Sequence, residues 1–164
     1  MAELELEWQL LPPHLNSEMR FKMALLVTHR QIYNRHFALE PGVNPALGFH
    51  LLGYRRTENW RIVFALTPWM LSRLLFAETP PGIEIPDGWR SEQRLETDYQ
   101  LLGPLVDLPL ETGGTQAHLN FHSIMGHYLV QPLTLNMQQY ANAREVLKAW
   151  NHVIEIQTEH MNKL

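Results

Sequence analysis

From Asn16 onward, Met19, Met23, Leu26, Arg30 and Tyr33 recur at spacings of four and three. They predict a helix over residues 16–37 with that row turned inward, Asn16 as its cap and Glu18 in its first turn. Pro41, Gly42 and Pro45 end it. Between 46 and 54 the period falls to two, with Leu47, Phe49 and Leu51 on one side, and after a polar stretch at 55–59 it resumes with Trp60, Ile62, Phe64 and Leu66. The two runs predict an antiparallel hairpin. Thr67-Pro68 has the chemistry of a helix start, so Trp69 to Phe76, apolar nearly all round, is expected to make two helical turns under cover on several sides.

Residues 78–114 are rich in proline and glycine and are expected to form a long connector. Ala117, Leu119 and Phe121 alternate within 115–122, and Gly126 to Val130 follows closely, predicting a second hairpin. From Asn136, Met137, Tyr140, Val146, Leu147, Trp150, Val153 and Ile154 fall at helical spacing, a long closing helix. The sum is an α+β domain spanning 1–164: an antiparallel sheet of about four strands in two hairpins, with an N-terminal and a long C-terminal helix packed against one face. Residues 1–15 are expected to form a flexible lead-in.

Composition narrows the functions. There is no cysteine, so disulfides, zinc–thiolate sites and thiol nucleophiles are excluded, and a reducing compartment fits. Thirteen basic against seventeen acidic residues give a charge of −4, which argues against nucleic acid as partner. The opening stretch carries Glu3, Glu5 and Glu7 where a secretory signal needs positive charge, and Met23 to Val27 is far short of the ~20 apolar residues of a spanning helix. A cytoplasmic protein with no membrane insertion is expected; monomer and homodimer both stay open.

Nine histidines are the most suggestive chemical feature. His118 and His122 share a strand face and His127 lies in the facing strand, an arrangement that would suit zinc with one open position in a metal carrier or metal-dependent enzyme. The same residues also read as the solvated side of a hairpin, which is preferred. His29 and His36 share a helix face two turns apart, and His50 lies opposite an apolar row. Glu84, Glu92, Glu96 and Asp98 sit in the connector, where charge usually means solvation. With no serine elbow, phosphate loop or dinucleotide fingerprint, no enzyme, metal or cofactor is argued for. What stands out instead is apolar surface for another polypeptide: Trp69, Met70 and Phe76 as contacts, Thr67 and Pro68 fixing the turn, Tyr128 on the neighbouring strand.

The run Trp60-Arg61-Ile62-Val63-Phe64-Ala65-Leu66-Thr67-Pro68-Trp69-Met70-Leu71-Ser72 resembles the signature of the HybE family of [NiFe]-hydrogenase assembly chaperones. Asn44-Pro45-Ala46-Leu47 upstream, Gly126-His127-Tyr128-Leu129 downstream, and Leu133 with Met137 fall in that family's order, over roughly residues 20 to 150. Where the family usually continues with a cysteine, two serines and a proline, this chain reads Val130-Gln131-Pro132-Leu133-Thr134-Leu135-Asn136-Met137, and its 86–114 connector is longer, so it resembles a divergent member. The resemblance implies a non-catalytic helper that holds the precursor of the hydrogenase small subunit, with its twin-arginine export signal, and works with other maturation proteins. A receptor for an Arg-Arg pair and an apolar stretch should offer apolar surface with acidic groups at one end.

Overall fold

The computed structural model describes residues 7–95, 97, 99–108 and 115–161. Glu3, Glu5, Glu96, Asp98 and the Gly113-Gly114 pair lie outside the described residues.

Among the described residues, six antiparallel strands form one sheet: β1 (His50–Arg56), β2 (Trp60–Thr67), β3 (Met70–Ala77), β4 (Leu105–Asp107), β5 (Gln116–His122) and β6 (Gly126–Thr134), in the order β1-β2-β3-β6-β5-β4. The two expected hairpins are present, but the sheet has six strands rather than about four. The segment expected as two helical turns after Thr67 is strand β3. Thr67 pairs with Met70 across a tight turn at Pro68-Trp69, and the Thr67 hydroxyl donates to the Met70 carbonyl at 3.0 Å. β3 lies between β2 and β6 and is covered on both faces, so its row Leu71, Leu74, Leu75, Phe76 is apolar all round for the reason a central strand is. β4 comes from within the expected connector; three residues are too few to show a period.

Helix α1 (Glu18–Ile32) packs Phe21, Leu25 and Ile32 on the face that carries Val63, Ala65, Leu74, Phe76, Tyr128 and Val130. Ser17, not Asn16, caps it, its hydroxyl accepting the Arg20 amide at 3.2 Å. Asn16 instead offers its side-chain oxygen to Arg61 (3.2 Å), a buried guanidinium that also donates to the Leu15 carbonyl and pairs with Glu78 at 3.0 Å. The inward row is Phe21, Leu25, Thr28, His29 and Ile32, so the start of the predicted row is turned away from the sheet, with Met19 69% exposed and Met23 61%, while Tyr33 at its end is half-buried against Phe49. Both rows carry large apolar side chains, and the one with Phe21, Leu25 and Ile32 takes the core. α1 ends in a π turn over Tyr33–Phe37, where the Ala38 amide reaches back to the Tyr33 carbonyl at 2.8 Å.

The opposite face, with Ile62, Phe64, Leu75, Leu119 and Leu129, is covered by Trp8, by Ile83, Ile85 and Trp89 of the connector, and by Ile154 of the closing helix. The two long helices therefore lie on opposite faces, not one. A four-residue helix α2 (Ser91–Arg94) interrupts the connector. The closing helix α3 (Ala143–Met161) begins later than predicted: Asn142 accepts the Glu145 amide at 3.0 Å, while Met137–Gln139 forms a separate single turn. No helix among the described residues is long and apolar enough to cross a membrane.

Candidate partner-binding site

The six residues singled out for partner contact are all inside. Trp69 and Met70 are each 5% exposed, Phe76 1%, Tyr128 2% and Thr67 2%. Trp69 meets the rings of Phe37 at 5.0 Å, His29 at 6.0 Å and Phe49 at 6.3 Å. Phe76 stacks on Tyr128 at 5.1 Å and meets Phe21 edge-on at 5.0 Å. None of these side chains presents appreciable surface to a partner as folded.

The sequence motifs around them converge on one knot. The Asn44 amide donates to the Pro68 carbonyl of the tight turn at 2.8 Å, and its side chain donates to the carbonyls of Met137 (3.0 Å) and Tyr140 (2.7 Å). Beneath it Leu47, Leu66, Leu71, Met137 and Val146 form one buried cluster. Three motifs far apart in the chain thus join α3, the turn and the entry to β1. In the Gly126-His127-Tyr128-Leu129 motif, Gly126 has φ +75° and leaves room for the Gln9 carbonyl, which a β-carbon would strike.

The three candidate metal ligands are separated. Phe121 pairs with His127 across the β5–β6 ladder, so His127 lies on the opposite face from His118 and His122. Those two, four strand residues apart, stand about 13 Å from each other. His127 accepts the Gln9 amide on Nδ1 at 2.8 Å, so its proton sits on Nε2, which donates to the Trp89 carbonyl at 2.8 Å. Both nitrogens are spent tying the lead-in and the connector to the hairpin; burial lowers the ring's pKa. His118 Nδ1 bonds the Gly103 carbonyl at 2.8 Å. Among the described residues no three His, Asp or Glu gather around one point.

Surface suited to a chain partner lies at the sheet edge. The Leu108 amide donates to the Thr115 carbonyl and the Leu119 amide to the Pro104 carbonyl, both at 2.8 Å. In an antiparallel ladder inward and outward residues alternate, so the backbone groups of Leu105 and Asp107 point away from β5, and no described residue pairs with them. This free edge borders a cleft of about 530 Å³ walled by Ile83, Glu84, Pro86, Leu105, Val106 and Asp107. Leu105 is 56% exposed. Asp107 accepts one bond from the Gln116 side chain at 3.1 Å, whereas Glu84 has no hydrogen bond or ion pair among the described residues. No basic residue is among the described lining of the cleft. A free strand edge, apolar walls and two carboxylates can take an extended, basic, partly apolar peptide. Sequence reading counted Glu84 among solvated connector carboxylates; only the paired register of β4 reveals the edge beside it.

Searches among curated proteins and solved structures return no match. A family model described as [NiFe]-hydrogenase assembly, chaperone, HybE, matches residues 20–163, which takes in the buried knot, the whole sheet and the cleft. The chain belongs to the HybE family of [NiFe]-hydrogenase assembly chaperones.

Proposed function

We propose that this chaperone holds the precursor of the hydrogenase small subunit by its twin-arginine export signal before export, on the cytoplasmic side, with the basic stretch of the signal laid along the outer edge of β4. The observation that carries this reading is the unpaired backbone of Leu105 and Asp107 beside two carboxylates in one cleft. Backbone pairing would hold any extended segment, at about 0.5–1.5 kcal/mol per hydrogen bond. Exposed pairs to Glu84 and Asp107 would add up to about 1 kcal/mol each and supply the preference for arginines. Leu105 and Pro86 would meet the apolar part of the segment.

In this reading Thr67, Pro68, Trp69, Met70, Phe76 and Tyr128 act from within, fixing the sheet whose edge is offered. No side chain is assigned a step in covalent chemistry.

The test is fluorescence anisotropy with a labelled twin-arginine peptide, an Ala-Ala version, and a Glu84→Lys/Asp107→Lys protein. The proposal expects binding that weakens at least tenfold with either change and declines with salt. Undiminished capture of the small-subunit precursor by the double variant would place the contact elsewhere.

A further inference from the structure

A second cavity, independent of the β4 edge, lies where the π turn of α1 meets the β5–β6 hairpin. We infer that it is a carboxylate-binding site, with Arg35 as the charged anchor and His122 and Ser123 as neutral donors. The cavity measures about 230 Å³, and Gln31, Arg35, His36, His122 and Ser123 are among the residues that line it. Arg94 also lines it, and no acidic side chain is among its described lining.

The donors are positioned and unspent. Arg35, Gln31 and the Ser123 hydroxyl make no hydrogen bond or ion pair with described residues, so nothing described here neutralises the Arg35 guanidinium. His122 Nδ1 accepts the Ile124 amide at 3.1 Å. Burial first, then the positive field of Arg35 and His36, lower the His122 pKa to about 4, so the ring is neutral at pH 7 and its proton sits on Nε2. That Nε2–H has no acceptor among the described residues. The π turn, a local departure from α-geometry often found at functional sites, carries both Arg35 and His36. The His36 ring stacks on Tyr99 with centroids 5.7 Å apart and planes inclined by 28°, and the Tyr99 hydroxyl accepts from the Asn120 side chain at 3.0 Å, which fixes that wall.

The chemistry selects a carboxylate. A guanidinium fork matches its two oxygens, and with the Arg94 guanidinium held over the Trp89 ring at 3.9 Å, Arg35 is the anchoring charge, which together with neutral imidazole and hydroxyl donors suits a single carboxylate. The volume falls below the roughly 300–1,000 Å³ of a drug-sized pocket and accepts one side chain or a chain end. The carboxylate can come from a free small acid or from a polypeptide.

Amide and imidazole resonances of the whole protein, followed by nuclear magnetic resonance, test this with four probes: acetate, inorganic phosphate, a short blocked peptide ending in a free carboxylate, and the same peptide as its amide. The free-carboxylate peptide is expected to shift His36, His122 and Ser123, its amide to bind at least tenfold more weakly, and Arg35→Gln to lose the same factor while Arg35→Lys restores part. Because Arg35 is exposed, these variants should keep the fold and the β4-edge binding of the twin-arginine peptide, which separates the two sites. Acetate binding as tightly as the peptide would identify a free acid as the source; tighter binding by the peptide would identify a polypeptide. Equal binding of peptide and amide, a stronger response to inorganic phosphate than to any carboxylate, or an Arg35→Gln protein that binds normally would overturn the assignment.

Discussion

Replacing Trp69 by alanine should destabilise rather than disarm this protein. The indole is 5% exposed and meets Phe37, His29 and Phe49 within 6.3 Å, so its removal empties the space between α1, the π turn and the start of β1. Loss of a buried tryptophan costs about 3–5 kcal/mol, against a total of about 5–15 kcal/mol for a domain of this kind. With a urea slope of about 1–3 kcal/mol/M, the unfolding midpoint should fall by roughly 1–5 M. Trp69→Phe, which retains a ring, should lose less than half as much. Circular dichroism in urea is the assay, since four other tryptophans would obscure fluorescence. A Trp69→Ala protein within ~1 kcal/mol of wild type that no longer captures the precursor would refute the burial argument, because an interior side chain cannot be removed without loss of stability.

Two further variants probe the packing and titration of α1. Burial first, then the positive field of His122, lower the His29 pKa to about 3, so the unfolded chain takes up this proton near pH 6.5 and the folded chain does not. Its contribution is fully present above pH 6.5 and is lost as pH falls toward 3, at about 1.4 kcal/mol per pH unit. His29→Leu should therefore lose about 2–3 kcal/mol less than wild type between pH 7 and pH 4.5 in urea titrations, and parallel pH profiles would contradict this. Met19→Ser/Met23→Ser, on the outward row, should change stability by no more than ~0.5 kcal/mol per site; a loss of 2 kcal/mol or more by thermal unfolding would mean that the row is covered.

Sequence reading recovered the α+β class, both hairpins and the long helices because alternation and helical spacing are strong over β1, β2, β5, β6 and α3. It mistook β3 because a strand with neighbours on both edges and cover on both faces loses its alternation and looks like a buried helix. It turned the start of α1 the wrong way because Met19, Met23 and Leu26 form a second apolar row beside Phe21, Leu25 and Ile32, and hydrophobicity alone does not rank them. The motif around Trp69 was visible for a structural reason: a turn wedged among three rings and hydrogen-bonded through Asn44 tolerates few residues. That visibility pointed to the core. The cleft left no comparable mark, since a free edge is a property of pairing, and Glu84 and Asp107 meet only when residues 82–86 lie against a three-residue strand. The histidines illustrate the converse: their proximity in sequence came from a hairpin whose pleat turns His127 to the face opposite His118 and His122.

The central claim, that a bound export signal adds a strand to this sheet, is tested most directly by hydrogen–deuterium exchange at the amides of Leu105 and Asp107, with and without the small-subunit precursor. Both face outward with no described partner and should exchange rapidly in the free protein. The account predicts that saturating precursor slows both by at least tenfold while the neighbouring amide of Val106, already turned toward β5, changes little. Unchanged exchange at Leu105 and Asp107 in a demonstrably formed complex would contradict it.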